Sequence, residues 1–523
     1  MRRCLFLALS FLAASSYAAD ILVIFPFPGY SHVMPFMPIL KELGLRGHKL
    51  TLVTSLIEKP NPQGFTQIDV NITTNDIKEM TKKVMGSGMS MSVMKFARGP
   101  LFQVAGILAM CGIFGTEILE KTWAHLPPPG TKFDLVMFEP FFCMEPLVAV
   151  SSIYNAPIVA TLPMPLTPIV ATSTGNPHEM AYVPNVRLPY TGKMTFLERV
   201  WNTIVNVSEL LQWFLWYLPK QDKVMREVTK QPNLPYIGDL LHNISLVLAE
   251  THFALNYPRP YLRNVIEVGG VSAKIEKPLP KDLEKFINEA KDGVIYFSWG
   301  SHFDAEDAIE TLEKIMKCFS KLKQKVVFKW STEIPNTPAN VRVEKWVPQP
   351  SILGHKNTLL FVSHGGLNSM YEAAYHGVPV LGTPLFADQL YNIQLLESLG
   401  MAIGVDTGVF DGGIFSSALD RILSNPSFRD NAKKVSGRLR DRPMDVVKEA
   451  AYWIEYVIKH GSSHLKPASI NLPWYSVILL DVSLFLLAII SLIVFLLYSI
   501  IALCCKLCCR NSPKKVSQKK KKQ

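Results

Sequence analysis

One stretch of this 523-residue chain limits its folding more than any other. Residues 346–389 read WVPQPSILGHKNTLLFVSHGGLNSMYEAAYHGVPVLGTPLFADQ. Leu359-Leu360-Phe361-Val362 is a short apolar run suited to a buried parallel strand. Ser363-His364-Gly365-Gly366 then turns the chain into a helix from Leu367 to His376, which Gly377 and Pro379 end. The two glycines let the backbone approach a ligand closely. The helix start offers free N–H groups and a partial positive charge, the setting in which a pyrophosphate binds. His364, Asn368 and Ser369 can donate to phosphate oxygens. Glu372 lies four residues beyond Asn368, shares its face, and can accept from ribose hydroxyls. Trp346 supplies a flat ring for a base to stack on. Each part alone has a plainer explanation: a tight turn, a core tryptophan, a solvated helix start at Asp388-Gln389. Their order and spacing together predict a pocket for a nucleotide-linked sugar.

The segment resembles the signature of the UDP-glycosyltransferases, in the animal membrane-bound branch that includes the glucuronosyltransferases. The resemblance runs from the leader to the lysine-rich tail. It is strongest between Phe297 and Gln389 and weakest between Asn61 and Glu120, where the family's acceptor pocket varies. It implies an α/β chain of GT-B architecture: two facing Rossmann-like, doubly wound domains with a cleft between them, plus a C-terminal transmembrane helix. It also implies transfer of glucose or glucuronic acid, from UDP-glucose or UDP-glucuronate, to a hydroxyl of a small lipophilic acceptor, as in detoxification. Ser301, His364 and backbone N–H groups from Gly366 to Ser369 would then stabilise the leaving diphosphate. Gln349 resembles the family's uridine-contacting glutamine, and Asp388 and Gln389 match the pair that grips the donor sugar.

Sugar transfer to an alcohol needs a base for the hydroxyl proton. His32 follows Phe27-Pro28-Gly29-Tyr30-Ser31 and precedes a helix opened by Met34-Pro35. A helix N-terminus disfavours imidazolium, so His32 is expected to stay neutral and accept a proton near pH 7. On spacing alone a capping or core histidine is the simpler reading, but the resembled family carries its catalytic histidine at the matching place. A base histidine needs an orienting carboxylate. The family has an Asp just after the strand that here reads Asp134 to Phe138; this chain has Glu139, one methylene longer. No two Asp residues are spaced as Asp-x-Asp. We therefore expect no metal and no cofactor beyond the UDP-sugar co-substrate, and a single displacement that inverts the anomeric carbon. Aromatic residues (Phe96, Phe102, Phe141, Phe142, Trp213, Phe214 and Trp216) are candidates for a lipophilic acceptor pocket, with core packing as the ordinary alternative and, for Trp213 to Tyr217, a place on the membrane. Arg259 is a candidate contact for a charged group or a structural arginine.

The net charge of +11 is unevenly placed: residues 506–523 carry eight Lys or Arg and no acid, and Arg2-Arg3 add two, leaving +1 for the rest. A near-neutral body offers no field for nucleic acid. Residues 1–19 read as a secretory signal. Val482 to Cys505 is 24 residues without a charge, enough at ~1.5 Å per residue to span a ~30 Å bilayer core. Trp474 and Tyr475 suit its interface, and the basic tail places the body in the lumen, type I. Lys520 and Lys521 resemble the dilysine retrieval signal of endoplasmic reticulum membrane proteins; a basic anchor for anionic lipid is the alternative, and both can hold. Sequons stand at Asn71, Asn206 and Asn243. Of the eight cysteines, Cys4 is in the leader and Cys504, Cys505, Cys508 and Cys509 lie at the membrane edge, suited to acylation or inertness rather than zinc. Cys111, Cys143 and Cys318 remain, so one bridge can form, and the sequence does not choose it.

The body reads as two alternating β/α halves. The predicted organisation is 1–19 signal, 20–273 N-terminal acceptor-binding domain, 274–280 linker, 281–470 C-terminal UDP-sugar-binding domain, 477–505 transmembrane helix and 506–523 cytoplasmic tail. Self-association is left open. Two other readings compete: a non-catalytic ligand-binding membrane glycoprotein, and a nucleotide-sugar epimerase of the same fold.

Overall fold

The computed structural model describes residues 18–73, 75–76, 99–141, 143–274, 277–300, 309–332, 334–385, 387–407 and 410–510. The leader, the dilysine tail, Phe96, Phe142 and Ser301 lie outside them. Two parallel sheets form the frame. The first comprises β1 (Asp20–Phe25), β2 (Lys49–Thr54), β3 (Phe65–Asp69), β4 (Leu135–Phe138), β5 (Ile158–Leu162), β6 (Ile244–Ala249) and β7 (Val265–Glu267), in spatial order β3-β2-β1-β4-β5-β6-β7. The second comprises β8 (Val294–Ser298), β9 (Lys325–Lys329), β10 (Val341–Glu344), β11 (Thr358–Ser363), β12 (Val380–Gly382) and β13 (Ala402–Gly404), in order β10-β9-β8-β11-β12-β13.

Alternation along the strands builds a core on each face. In β1, Leu22 and Ile24 enter one cluster and Ile21, Val23 and Phe25 the opposite one. Each sheet reverses its strand order once, between β1 and β4 and between β8 and β11. Loops beyond the strand C-termini part at such a point and leave a crevice. The registers place the crevices: Ile24 pairs with Phe138, and Ser298 pairs with Ser363. Residues just after those pairs are neighbours in space, though distant in sequence.

Seven helices matter below: α1 (Met37–Leu45), α2 (Pro100–His125), α3 (Phe196–Gln212), α4 (Leu367–His376), α5 (Gln389–Ser398), α6 (Val446–His460) and α7 (Leu480–Arg510). The last helix within the predicted 281–470 segment is α6. This helix returns to the first half, burying Val446, Ala450, Ala451, Ile454 and Val457 among β1, β2 and α1. Arg46 and His48 donate to Glu455 there, at 2.8 and 3.1 Å. Strands β3 and β7 escape prediction because FTQID, at the sheet edge, has no apolar run and VIE is only three residues long.

Met1–Pro467 and Ala468–Gln523 separate as two compact units. Within the second, Leu480–Leu507 is long and apolar enough to cross a membrane. The helix starts three residues later than the predicted 477 and continues past 505, with the separate turn Trp474–Val477 before it.

Candidate active site

The loop after β1 and the residue after β4 meet at the first crevice. His32 Nδ1 stands 2.8 Å from Glu139 Oε2. A carboxylate only accepts, so Nδ1 carries the proton and Nε2 keeps its lone pair. The extra methylene of Glu139 therefore does not prevent contact. Phe27 sets its ring edge against His32, centroids 5.2 Å apart. Gly29 leaves room for both, since a Cβ there would stand 2.6 Å from Phe27 and 3.0 Å from His32.

The electrostatics correct the expectation of a helix-neutralised histidine. His32 sits in a four-residue helix, Tyr30–Val33, that runs on into Met34–Phe36 and Met37–Leu45. Burial lowers the His32 pKa, but the charge and hydrogen bond of Glu139, with Asp388 adding, outweigh it and raise the pKa above 6.5. Asp388 belongs to the second half, so the two crevices face one another. Burial raises the Asp388 carboxyl above its ordinary range, against the hydrogen bond from Asn392 and the charge of His32. Asn392 donates to Asp388 at 2.7 Å. Gln389 spends its side-chain oxygen on the Leu385 N–H, 2.7 Å away.

In the second crevice, Gly300 and Gly365 adopt left-handed φ values of 83° and 84°, open to glycine without strain. The His364 ring packs over Gly366, where a Cβ would fall 2.6 Å from Nε2. Gly366 is the N-cap of α4 and brings no side-chain cap to its first turn. Asn368 lies on that turn. With its amide nitrogen turned toward Glu250, it donates to both carboxylate oxygens at 2.6 and 2.9 Å; turned the other way, it donates to Ser31 O at 3.3 Å. Both partners belong to the first half. Ser369 follows Asn368 on the same turn of α4. Its hydroxyl accepts from Gln349 at 2.9 Å, and Gln349 also donates to Glu372 at 2.6 Å. Tyr296 donates to the Gln349 oxygen at 3.0 Å. Burial pushes Glu372 up to about 7, against the Gln349 bond and the nearby Lys329.

Trp346 is exposed (56%), its ring 5.5 Å from Tyr30 and its face 4.5 Å from Lys329 Nζ. Lys329 and Glu250 escaped the sequence reading: each is a lone charged residue at or just past a strand end, with no motif around it. Burial drives Glu250 well above the ordinary carboxylate range, and Glu372 adds to the shift. Arg259 is held structurally, donating to Leu166 O, Asn256 and Tyr391. Of the acceptor candidates, Phe141 and Trp213 are core, whereas Phe214 and Trp216 are exposed. Cys111 and Cys143 form the bridge, which ties α2 to the segment following Glu139.

Residues 20–518 match the family model described as "UDP-glucoronosyl and UDP-glucosyl transferase". UDP-glycosyltransferase UGT4 of Dactylopius coccus is 33% identical over 494 residues, 93% of this chain and 94% of that protein. UDP-glucuronosyltransferase 2B7 of Homo sapiens is 31% identical over 498 residues, 92% of this chain and 91% of that protein. Among solved structures, UDP-glucose: anthocyanidin 3-O-glucosyltransferase in complex with UDP shares the fold, with a TM-score of 0.55 at 16% identity, covering 84% of this chain and 98% of that one.

Proposed function

Because the chain belongs to the UDP-glucuronosyl and UDP-glucosyl transferase family, and is a UDP-glycosyltransferase, we propose a residue-level mechanism with His32 as its base. The observation that carries it is the 2.8 Å contact between His32 and Glu139, facing a crevice whose other wall holds Asp388. The acceptor hydroxyl gives its proton to His32 Nε2. Its oxygen forms a bond to the anomeric carbon as the bond from that carbon to UDP breaks. One displacement inverts the carbon. Glu139 and Asp388 stabilise the imidazolium that forms.

Trp346 and Gln349 take the uracil, Glu372 the ribose, and Ser301, His364, Asn368 and Ser369 the diphosphate, with the α4 N-terminus facing it. Asp388 and Gln389 hold the hexose. No metal is required in this reading, because helix dipole and N–H donors supply the positive field. Loss of turnover in EDTA with rescue by Mg²⁺ would contradict it. The transferases among the relatives leave the binding-only and epimerase readings without support.

The donor is glucose or glucuronate, and the acceptor a small lipophilic alcohol or phenol. The protein is a type I glycoprotein of the endoplasmic reticulum membrane, cleaved after its leader, with a lumenal body. The Cys111–Cys143 bridge fits that oxidising compartment. A donor screen tests the reading: UDP-glucose and UDP-glucuronate, each with a phenolic probe and product detected by mass. The expected product is one glycoside, lost in His32→Ala. Full turnover in that variant refutes the base assignment.

A further inference from the structure

Strand β1 begins one residue after a buried alanine. Ala19 is fully buried in the apolar layer that β1 shares with β2, α1 and α6, whereas Ala18 just before it is exposed. The Ala19 carbonyl accepts from the Lys49 N–H at 2.9 Å. The Ala19 N–H donates to His48 Nδ1 at 3.1 Å. With Nδ1 accepting, the ring proton sits on Nε2, which donates to Glu455 Oε1 at 3.1 Å. Arg46 holds the other carboxylate oxygen at 2.8 Å. The His48 ring is itself buried. A line of three groups thus runs from the start of the first strand, through a buried imidazole, to a carboxylate on α6. The carboxylate polarises the ring and makes Nδ1 a stronger acceptor. A cationic donor gains most from such an acceptor, and an uncharged peptide N–H gains less.

The local sequence supplies the cation. Ser16-Tyr17-Ala18 has small residues at its first and third places, the pattern that precedes a leader cut. A cut after Ala19 would instead put the bulky Tyr17 at the first of those places. We infer that the leader is cut between Ala18 and Ala19, one residue before the predicted end, and that the α-amino group released there docks on His48 with Glu455 behind it. This rests on the reading of the first residues as a secretory leader. Water adds across the bond, its hydroxyl going to the Ala18 carbonyl carbon and its hydrogen to the Ala19 nitrogen. Near neutral pH that nitrogen takes up a further proton. A charge released at a buried position is costly without a partner, and the imidazole already in place meets it. The neutral bond becomes a charge-assisted one, roughly twice as strong. Processing of the first residues thereby fastens α6, a helix from the far end of the body, to the start of β1. A cut one residue later would leave a different arrangement, because the Asp20 N–H goes to Asp134 at 2.9 Å and not to His48.

Amine labelling of the full chain tests this. The protein is expressed with its leader in a secretory host, purified in detergent, and treated with formaldehyde and cyanoborohydride at pH 7, native or in urea. Mass spectrometry of the N-terminal peptide reads both the terminus and its methylation. The expected terminus is Ala19, labelled at least tenfold more slowly in the native protein than in urea. Glu455→Gln and His48→Gln, each checked for a cooperative melting transition, are expected to bring native labelling to within threefold of the unfolded rate. An Ala19 amine labelled equally fast with and without urea overturns the docking and leaves the cut site standing. Unchanged protection in both variants overturns the assignment to His48 and Glu455. A terminus at Asp20, or at another residue close to it, overturns the cut site and the docking but not the leader. A terminus at Met1 overturns the leader reading together with both.

Discussion

Removing the carboxylate at position 139 separates the roles of charge and geometry in the proposed base. Glu139 is buried, 8% exposed, and its bond to His32 Nδ1 is charge-assisted. Such a bond contributes ~1.5–3 kcal/mol, about 10- to 150-fold in rate at ~1.36 kcal/mol per decade. The loss also frees the ring to place its proton on Nε2, the nitrogen that must accept. Glu139→Ala is therefore expected to lower kcat/KM by ~10²-fold or more. The pH profile carries the sharper signature. Burial lowers the His32 pKa, but Glu139 outweighs it and raises the pKa, so the acid limb should lie at higher pH than for an ordinary imidazole. Without Glu139, burial acts against Asp388 alone, and the limb moves to lower pH while the plateau falls. Glu139→Gln keeps the volume and removes the charge, so it should show the same shift. Glycoside formation at saturating donor from pH 5 to 9 measures both, with UDP affinity as the folding control. An unchanged plateau and an unmoved acid limb would refute the pairing as a functional dyad.

Four other outcomes follow from particular contacts. Glu372 titrates at about 7, and ribose hydroxyls favour its ionised form, so the affinity for an intact UDP-sugar should rise roughly tenfold from pH 6 to 8. Calorimetry should find this rise absent in Glu372→Gln; a flat wild-type profile would exclude the ribose role. Burial raises the Glu250 pKa well above 4.5, so its contribution is present below 4.5 and lost as pH climbs toward the raised value. Glu250→Gln should thus raise stability at pH 8 by ~1–3 kcal/mol, with the gain fading toward pH 4.5, and equal melting temperatures at pH 8 would argue against it. Cys143→Ser opens the bridge to Cys111 and should cost ~2–4 kcal/mol, with a fall in kcat because the bridge holds the segment that follows Glu139; denaturant midpoints and turnover check the two together. Asn206 is fully buried and donates to Asn202 O at 2.7 Å, so mass spectrometry of the native protein should find its sequon unmodified, whereas Asn71 is exposed and free to carry a glycan.

The parts readable from sequence were those written locally. LLFV followed by SHGG announces β11 and the glycine turn, and the apolar run ILVIF announces β1. His32 was singled out because the resembled family carries its catalytic histidine at the matching place after that strand. What the sequence could not display are relations across the chain. Glu250 matters because Asn368 folds onto it, and nothing near either residue says so. Lys329 gains meaning only through Trp346 and Glu372. The helix of Val446–His460 carries an apolar stripe that either half could have used; its packing on β1 and β2 and its bonds to Arg46 and His48 appear only in the folded chain. The sequon at Asn206 has the right three letters on a helix face that happens to point inward. The Glu139 carboxylate that raises the His32 pKa follows another strand, far from His32 in sequence.

The return of α6 to the first sheet has a consequence for biosynthesis. Ile21, Val23 and Leu52 are translated long before Ile454 and Val457, which belong to the apolar layer that shields them. At ~5–20 residues per second, roughly 20–90 s separate the synthesis of the sheet from that of its cover. During that interval the nascent chain holds an open hydrophobic face, which makes it a client for molecular chaperones. A ribosome stalled before Val446 would release a product that cannot complete even its N-terminal half.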